Sequence, residues 1–282
     1  MEKRSRLVRA AALAAAFSIL VWPMEADAAT RKKKTKKSRP EVTAQAYVIM
    51  DAKSGQILQG RSPHKKLPPA STTKVMTALL ALEYLPMDYP VPVSRRSVNV
   101  SPSKAGLTLG ATYAARDLIK ACLVASSNDA AVALAEAVSG TEPKFAVLMN
   151  EKAAKLGMSN TKFVNASGLT DKKKKQYTTA YDLARLMRHA IKDKRIDEMM
   201  GVVDFSIRGS DGKVLPLRAH NKMLWKKPKF VKGKTGWTYA SKHTFVGTNY
   251  RSSKSMTFAI LASQKPWADI ERLASLGVAL TG

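Results

Sequence analysis

Ser71 and Lys74 stand three residues apart, and further along the chain come Ser126-Ser127-Asn128 and then Lys234-Thr235-Gly236. On a helix, positions i and i+3 lie one turn apart on the same face, so the Lys74 amine can hang beside the Ser71 hydroxyl. An amine placed there can take the hydroxyl proton and turn the oxygen into a nucleophile. In this order the three motifs describe a serine nucleophile with lysine as its base. An ordinary lysine, with a pKa of about 10.4, is protonated at neutral pH. Burial and the positive charge of a second lysine, Lys234, are both expected to lower the pKa of Lys74.

A lysine-rich chain also produces look-alikes. Ser62 to Lys65 and Ser101 to Lys104 read S-x-x-K, Ser97 to Asn99 reads S-x-N, and Lys53-Ser54-Gly55 resembles K-T-G. Prolines follow Ser62 and glycines follow Lys104, so neither pair can head a helix. Ser71 to Leu85, by contrast, follows Pro68-Pro69 and is apolar on most of its surface, which predicts a buried helix with Ser71 at its start. Unpaired N–H groups at that end favour developing negative charge. Three plainer readings stay open: Ser71 as a simple N-cap, Ser126 to Asn128 as the cap of a helix beginning near Asp129, and Lys234 as a surface strand lysine.

With these motifs the chain resembles the penicillin-binding serine peptidases, most closely the low-molecular-mass D-alanyl-D-alanine carboxypeptidases of peptidase S11 type. The likeness runs from about Ala44 to the C-terminus. It includes Ala70 to Lys74, Ser127-Asn128-Asp129-Ala130, Leu156 to Thr161, Asn165-Ala166-Ser167-Gly168-Leu169 and His220-Asn221-Lys222-Met223-Leu224. The resemblance implies peptidoglycan stem peptides as substrates and β-lactams as covalent inhibitors. It implies an oxyanion hole made by the backbone N–H groups of Ser71 and Trp237. Ser126 would relay the proton to the leaving nitrogen, and Asn128 would orient Lys74 and bond the substrate peptide. Lys234 and Thr235 would hold a terminal carboxylate, and Gly236 would leave room for a peptide lying along the strand. Release of terminal D-alanine and endopeptidase cleavage of cross-links use the same chemistry, and both remain open.

Other classes find less support. A class A β-lactamase needs a glutamate for deacylation, and Asn160 to Lys175 contains none. A non-catalytic peptidoglycan binder has no need of Ser71, Lys74, Ser126 and Lys234 together. There is no G-x-S-x-G, H-E-x-x-H or C-x-x-C motif, and His64, His189, His220 and His243 lack metal spacing, so neither metal nor cofactor is expected.

Residues 1–28 combine Lys3, Arg4, Arg6 and Arg9 with thirteen largely apolar residues from Ala10 to Trp22 and an Ala26-Asp27-Ala28 cleavage pattern, the marks of a signal peptide. Residues 29–43 read as a flexible basic linker, with seven basic residues in the nine from Arg31 to Arg39. Residues 44–282 read as the catalytic domain. The formal charge of +27 falls only to +26 without the leader, and in an exported protein it suits anionic wall polymers or a membrane surface rather than nucleic acid. The expected location is the periplasm or the extracytoplasmic wall space. Cys122 is the only cysteine, which rules out an internal disulfide and leaves it an apolar packing role.

Strands are expected at 46–50 and 56–60, around a turn at Asp51 to Gly55, and again at 230–235, 244–250 and 256–263. Helices are expected at 71–85, 114–125, 129–138, 143–156 and 180–192, the last capped by Thr178 or Thr179, and at 267–276. Strands at both chain ends bracketing a run of helices predict an α+β protein. Its antiparallel sheet is built from both ends with a helical lobe inserted, the β-lactamase/transpeptidase-like fold of the resemblance.

Overall fold

The two ends of the folded chain meet in the middle of one sheet. Strand β1 (Ala46–Asp51) pairs on one side with β2 (Ile57–Arg61) and on the other with β9 (Met256–Ser263). Strands β8 (Lys242–Asn249) and β7 (Val231–Thr238) follow, giving the order β2-β1-β9-β8-β7 with every neighbour antiparallel and β7 at the edge. The computed structural model describes residues 41–226, 231–249 and 255–281. The expected signal peptide, most of the basic linker, Lys227, Phe230 and Tyr250 lie outside the described residues.

Alternation along the strands divides their side chains between two cores. Ala46, Val48, Met50, Val246, Ala259 and Leu261 face the helical lobe. Tyr47, Ile49, Phe245, Phe258 and Ile260 face α9 (Pro266–Thr281), packing on its Ile270, Leu273 and Ala274. With both faces covered, all eight residues of β9 are buried. Val42 joins the second core, and the Thr43 hydroxyl donates to Asp269 at 2.7 Å. The Lys53-Ser54-Gly55 look-alike is the turn between β1 and β2: Asp51 accepts from the N–H groups of Lys53 and Ser54, and Gly55 takes a φ of 79°.

The inserted lobe contains α1 (Lys74–Tyr84), the short α2 (Arg95–Val98), α3 (Ala115–Leu123), α4 (Asn128–Ser139), α5 (Glu142–Lys155), α6 (Ala180–Ala190) and α7 (Lys194–Met199). Helix α1 is buried from Lys74 through Leu82 because α3, α4 and α6 surround it. The amphipathic α6 lies against β1 and β9 and joins lobe to sheet. Thr179 caps it, accepting from the Asp182 N–H at 2.9 Å.

Two small two-stranded sheets and three short helices were not anticipated: β3 (Pro90–Pro92) with β4 (Thr112–Ala114), the hairpin β5 (Asp204–Arg208) with β6 (Val214–Arg218), and α2, α7 and α8 (Met223–Lys226). The first α-helix also begins later than expected. Ala70–Thr73 is a 3₁₀ turn, so Ser71 precedes α1 rather than opening it.

Candidate active site

The Ala70–Thr73 turn is gripped from two sides by backbone. A Cβ on Gly236 would stand 2.8 Å from the Ser71 nitrogen and would collide with the Thr244 hydroxyl. A Cβ on Gly168, whose φ is +80°, would collide with the Ala70 carbonyl. Thr244 and Thr72 hydroxyls both donate to the Pro69 carbonyl, at 3.0 and 2.6 Å. Ala70 is pressed into a left-handed conformation, with φ of 48°. This explains both the 3₁₀ turn and Gly236. The glycine makes room for Ser71, Ala70 and Thr244 inside the protein, where the sequence suggested room for substrate.

Lys74 is fully buried, and its Nζ lies 2.9 Å from Ser71 Oγ, 2.6 Å from Asn128 Oδ1 and 2.7 Å from the Ser167 carbonyl. The last two atoms can only accept. A neutral amine can donate to both and turn its lone pair to the Ser71 hydroxyl. Burial lowers the Lys74 pKa to about 8, against the opposing pull of surrounding acids including Asp129 and Glu142. The expected like-charge effect acts on the other member of the pair. Lys234 is held well below its ordinary pKa, first by burial and then by the charge of Lys74. For Lys74 the lowering comes from burial, and the charges around it, on Cys122, Asp129 and Glu142, pull the other way.

Lys234 projects from β7 and is buried, its Nζ donating to Ser126 Oγ at 2.8 Å and to the Thr235 carbonyl at 2.7 Å. That position excludes the surface-lysine reading. Ser126 takes a left-handed φ of 59°, which turns its hydroxyl out of the helical path. Nor is the segment a simple helix cap: Ser127 occupies the cap position of α4, yet its hydroxyl is buried without a partner among the described residues. The polar anchor there is the buried Asp129. Its carboxylate accepts from the N–H groups of Ala105, Gly106 and Leu107 at 2.9–3.2 Å, fixing the opposite rim. The Asn128 amide completes that rim by donating to the Ser101 carbonyl at 2.8 Å.

Ser71, Ser126, Asn128, Thr235, Gly236 and Trp237 line an open cleft of about 890 Å³, with Lys74 and Lys234 beneath it. All eight residues singled out in the sequence therefore meet at one place. Trp237 is 48% exposed, its ring 4.9 Å from that of Tyr239. His220 opens into the cleft, its imidazole pKa pushed down by partial desolvation and by the ammonium groups of Lys234 and Lys74. Cys122 packs in the core behind the two lysines, and burial pushes its thiol up to about 11.

With this geometry established, comparison with known proteins is decisive. The sequence model for peptidase S11, D-alanyl-D-alanine carboxypeptidase, matches residues 33–264. The chain belongs to the peptidase S11 family. Its S11 relatives include the D-alanyl-D-alanine carboxypeptidase DacF of Bacillus subtilis, 30% identical over 79% of this chain and 58% of the relative. Another is DacB2 of Mycobacterium tuberculosis, 32% identical over 79% of this chain and 76% of that protein. The chain thus spans little more than half of the Bacillus relative and three-quarters of the mycobacterial one. A solved D-alanyl-D-alanine carboxypeptidase from Mycobacterium tuberculosis matches with a TM-score of 0.80 at 30% identity, covering 85% of this chain and 92% of that one. The fold is accordingly that of the penicillin-binding DD-peptidases.

Several S11 site contributors escaped a role in the sequence reading. The Ser167 carbonyl and Asp129 fall inside segments that carry the family likeness, so the signal existed; their backbone-mediated roles did not show. Thr244 was read only as the start of a strand, and the Leu217–Arg218 rim was not singled out.

Proposed function

We propose that this protein is a serine-type D-Ala-D-Ala carboxypeptidase acting on peptidoglycan stem peptides in cell-wall biosynthesis and remodelling. The observation that carries the proposal is the position of the buried Lys74 amine, 2.9 Å from Ser71 Oγ with two pure acceptors beside it. Ser71 Oγ attacks the D-alanyl carbonyl as its proton passes to Lys74. The oxyanion is held by the N–H groups of Ser71 and Trp237. Lys234 and Thr235 receive the terminal carboxylate, whose charge keeps the proton on Lys234 and leaves Lys74 the neutral member of the pair. The C–N bond breaks as a proton reaches the leaving amine through Ser126, and water then releases the shortened peptide from Ser71.

The same chemistry cleaves a cross-link when the leaving amine belongs to a second stem. The cleft favours keeping this reading: past Lys234 it continues to His220, Lys222, Trp225 and Arg218, more room than one D-alanine needs. β-Lactams would acylate Ser71 by mimicking the D-alanyl terminus. We also propose residues 1–28 as an export leader, 29–43 as a basic linker suited to anionic wall polymers or a membrane surface, and 44–282 as the catalytic domain, working in the periplasm or wall space.

Labelling with a fluorescent penicillin tests the nucleophile: wild type should label and Ser71→Ala should not. Labelling that survives the substitution would reject the mechanism. Purified muropeptides then separate the two substrates, monomers releasing D-alanine and dimers splitting into monomers.

A further inference from the structure

A second cavity, of about 410 Å³, adjoins the cleft, bordered by Lys66, Lys174 and Lys175. The loop Gly168-Leu169-Thr170 separates the two, Leu169 lining the cleft and its neighbours the cavity. Thr238 and Ala240, at the outgoing end of β7, form another wall. Lys66 sits over the Tyr177 ring, 4.9 Å from its centroid. Among the described residues Asp171 is the only acid lining the cavity, and its Oδ1 accepts from the N–H groups of Lys173 and Lys174 at 2.7 and 2.8 Å. Gln176 is 9% exposed and also lines the cavity. Its Nε2 donates to the Leu169 carbonyl at 2.6 Å, while its Oε1 has no donor among the described residues. Three ammonium groups and one unfilled acceptor suit a ligand that carries a carboxylate together with an N–H.

We propose that this cavity is a specificity subsite for a carboxylate-bearing residue of the acyl-donor peptide, two to three residues upstream of the carbonyl that Ser71 attacks. The inference rests on the acyl-transfer reading given above. With the leaving carboxylate at Lys234 and Thr235, and the oxyanion at Ser71 and Trp237, the acyl portion leaves the reaction centre along the β7 edge toward Thr238. An extended peptide advances about 3.3 Å per residue, so two or three residues span roughly 7–10 Å and carry it past Trp237 to the cavity. Lys174 and Lys175, of the Lys172 to Lys175 run, thereby acquire a task specific to this end of the strand.

The test compares wild type with the K66Q/K174Q/K175Q variant on two peptides ending in D-Ala-D-Ala. They are identical except that the upstream acid is free in one and a carboxamide in the other. Benzylpenicillin, which lacks that upstream segment, reports the reaction centre. Wild type should favour the free acid by about tenfold in kcat/KM. The variant should lose that preference while acylating with benzylpenicillin at the wild-type rate, and added salt should erode the preference in wild type alone. Equal treatment of the two peptides by wild type, or a preference retained by the variant, overturns the proposal. So does a variant that keeps the preference and loses only its binding to anionic wall polymer. A wild type that benzylpenicillin does not acylate at all refutes the acyl-enzyme reading, and the subsite with it.

Discussion

Gly236 presses its Cα against the backbone nitrogen of Ser71 so closely that a Cβ would lie 2.8 Å away. The edge strand and the nucleophile's turn are thus set in register by a missing side chain. One glycine brings the two proposed oxyanion donors, on Ser71 and Trp237, to a common site.

Gly236→Ala should push β7 off the Ala70–Thr73 turn and separate those donors. Loss of an oxyanion donor costs about 100-fold to 1,000-fold in rate, so penicillin acylation should fall by that order while the protein stays folded by circular dichroism. A variant that acylates within threefold of wild type would sink this account.

Lys74 should set the rising limb of the pH profile. With its pKa at about 8, roughly one amine in ten is neutral at pH 7, and nearly all are at pH 9. The maximal acylation rate should therefore rise about tenfold over that interval and then level off. The sign follows from burial, which disfavours the ammonium form; a flat profile from pH 6 to pH 9 would contradict it.

Ser126 offers a way to separate backbone from hydroxyl. Its φ of 59° is one that glycine tolerates without strain. Ser126→Gly should hold the melting temperature within a few degrees, yet remove the hydroxyl that Lys234 contacts and slow turnover by about 100-fold. Loss of stability without loss of turnover would assign Ser126 a purely structural part.

Asp129 should matter for stability more than for chemistry. Its buried carboxylate satisfies three rim N–H groups, those of Ala105, Gly106 and Leu107. Asp129→Ala leaves them unpaired and should cost about 2–4 kcal/mol, read by urea denaturation. A change below about 0.5 kcal/mol would show that water replaces the carboxylate.

Much of the fold was legible because its strongest elements obey local rules. The β1 hairpin carries a Gly55 turn, β9 matches its expected span of 256–263, and α1 is apolar all round because it is surrounded. The β5–β6 hairpin was missed although Asp211-Gly212 marks its turn. Its strands are short and alternate polar with apolar residues on an exposed surface, so no core-facing run announced them. That miss has functional weight, since Leu217 and Arg218 form part of the cleft rim.

By itself the sequence determined which residues are candidates for the chemistry, since a serine and a lysine three residues apart, with two further motifs in fixed order, restrict the reaction to few possibilities. Tertiary structure decided what the chemistry needs from distance and burial. Folding brought Lys234 across 108 residues to the Ser126 hydroxyl, sealed both lysines from water, and fitted Gly236 against Ser71. Spacing along a chain fixes only neighbours within a turn or two. Contacts between a helix and a strand from opposite ends exist only once both have packed on the same core.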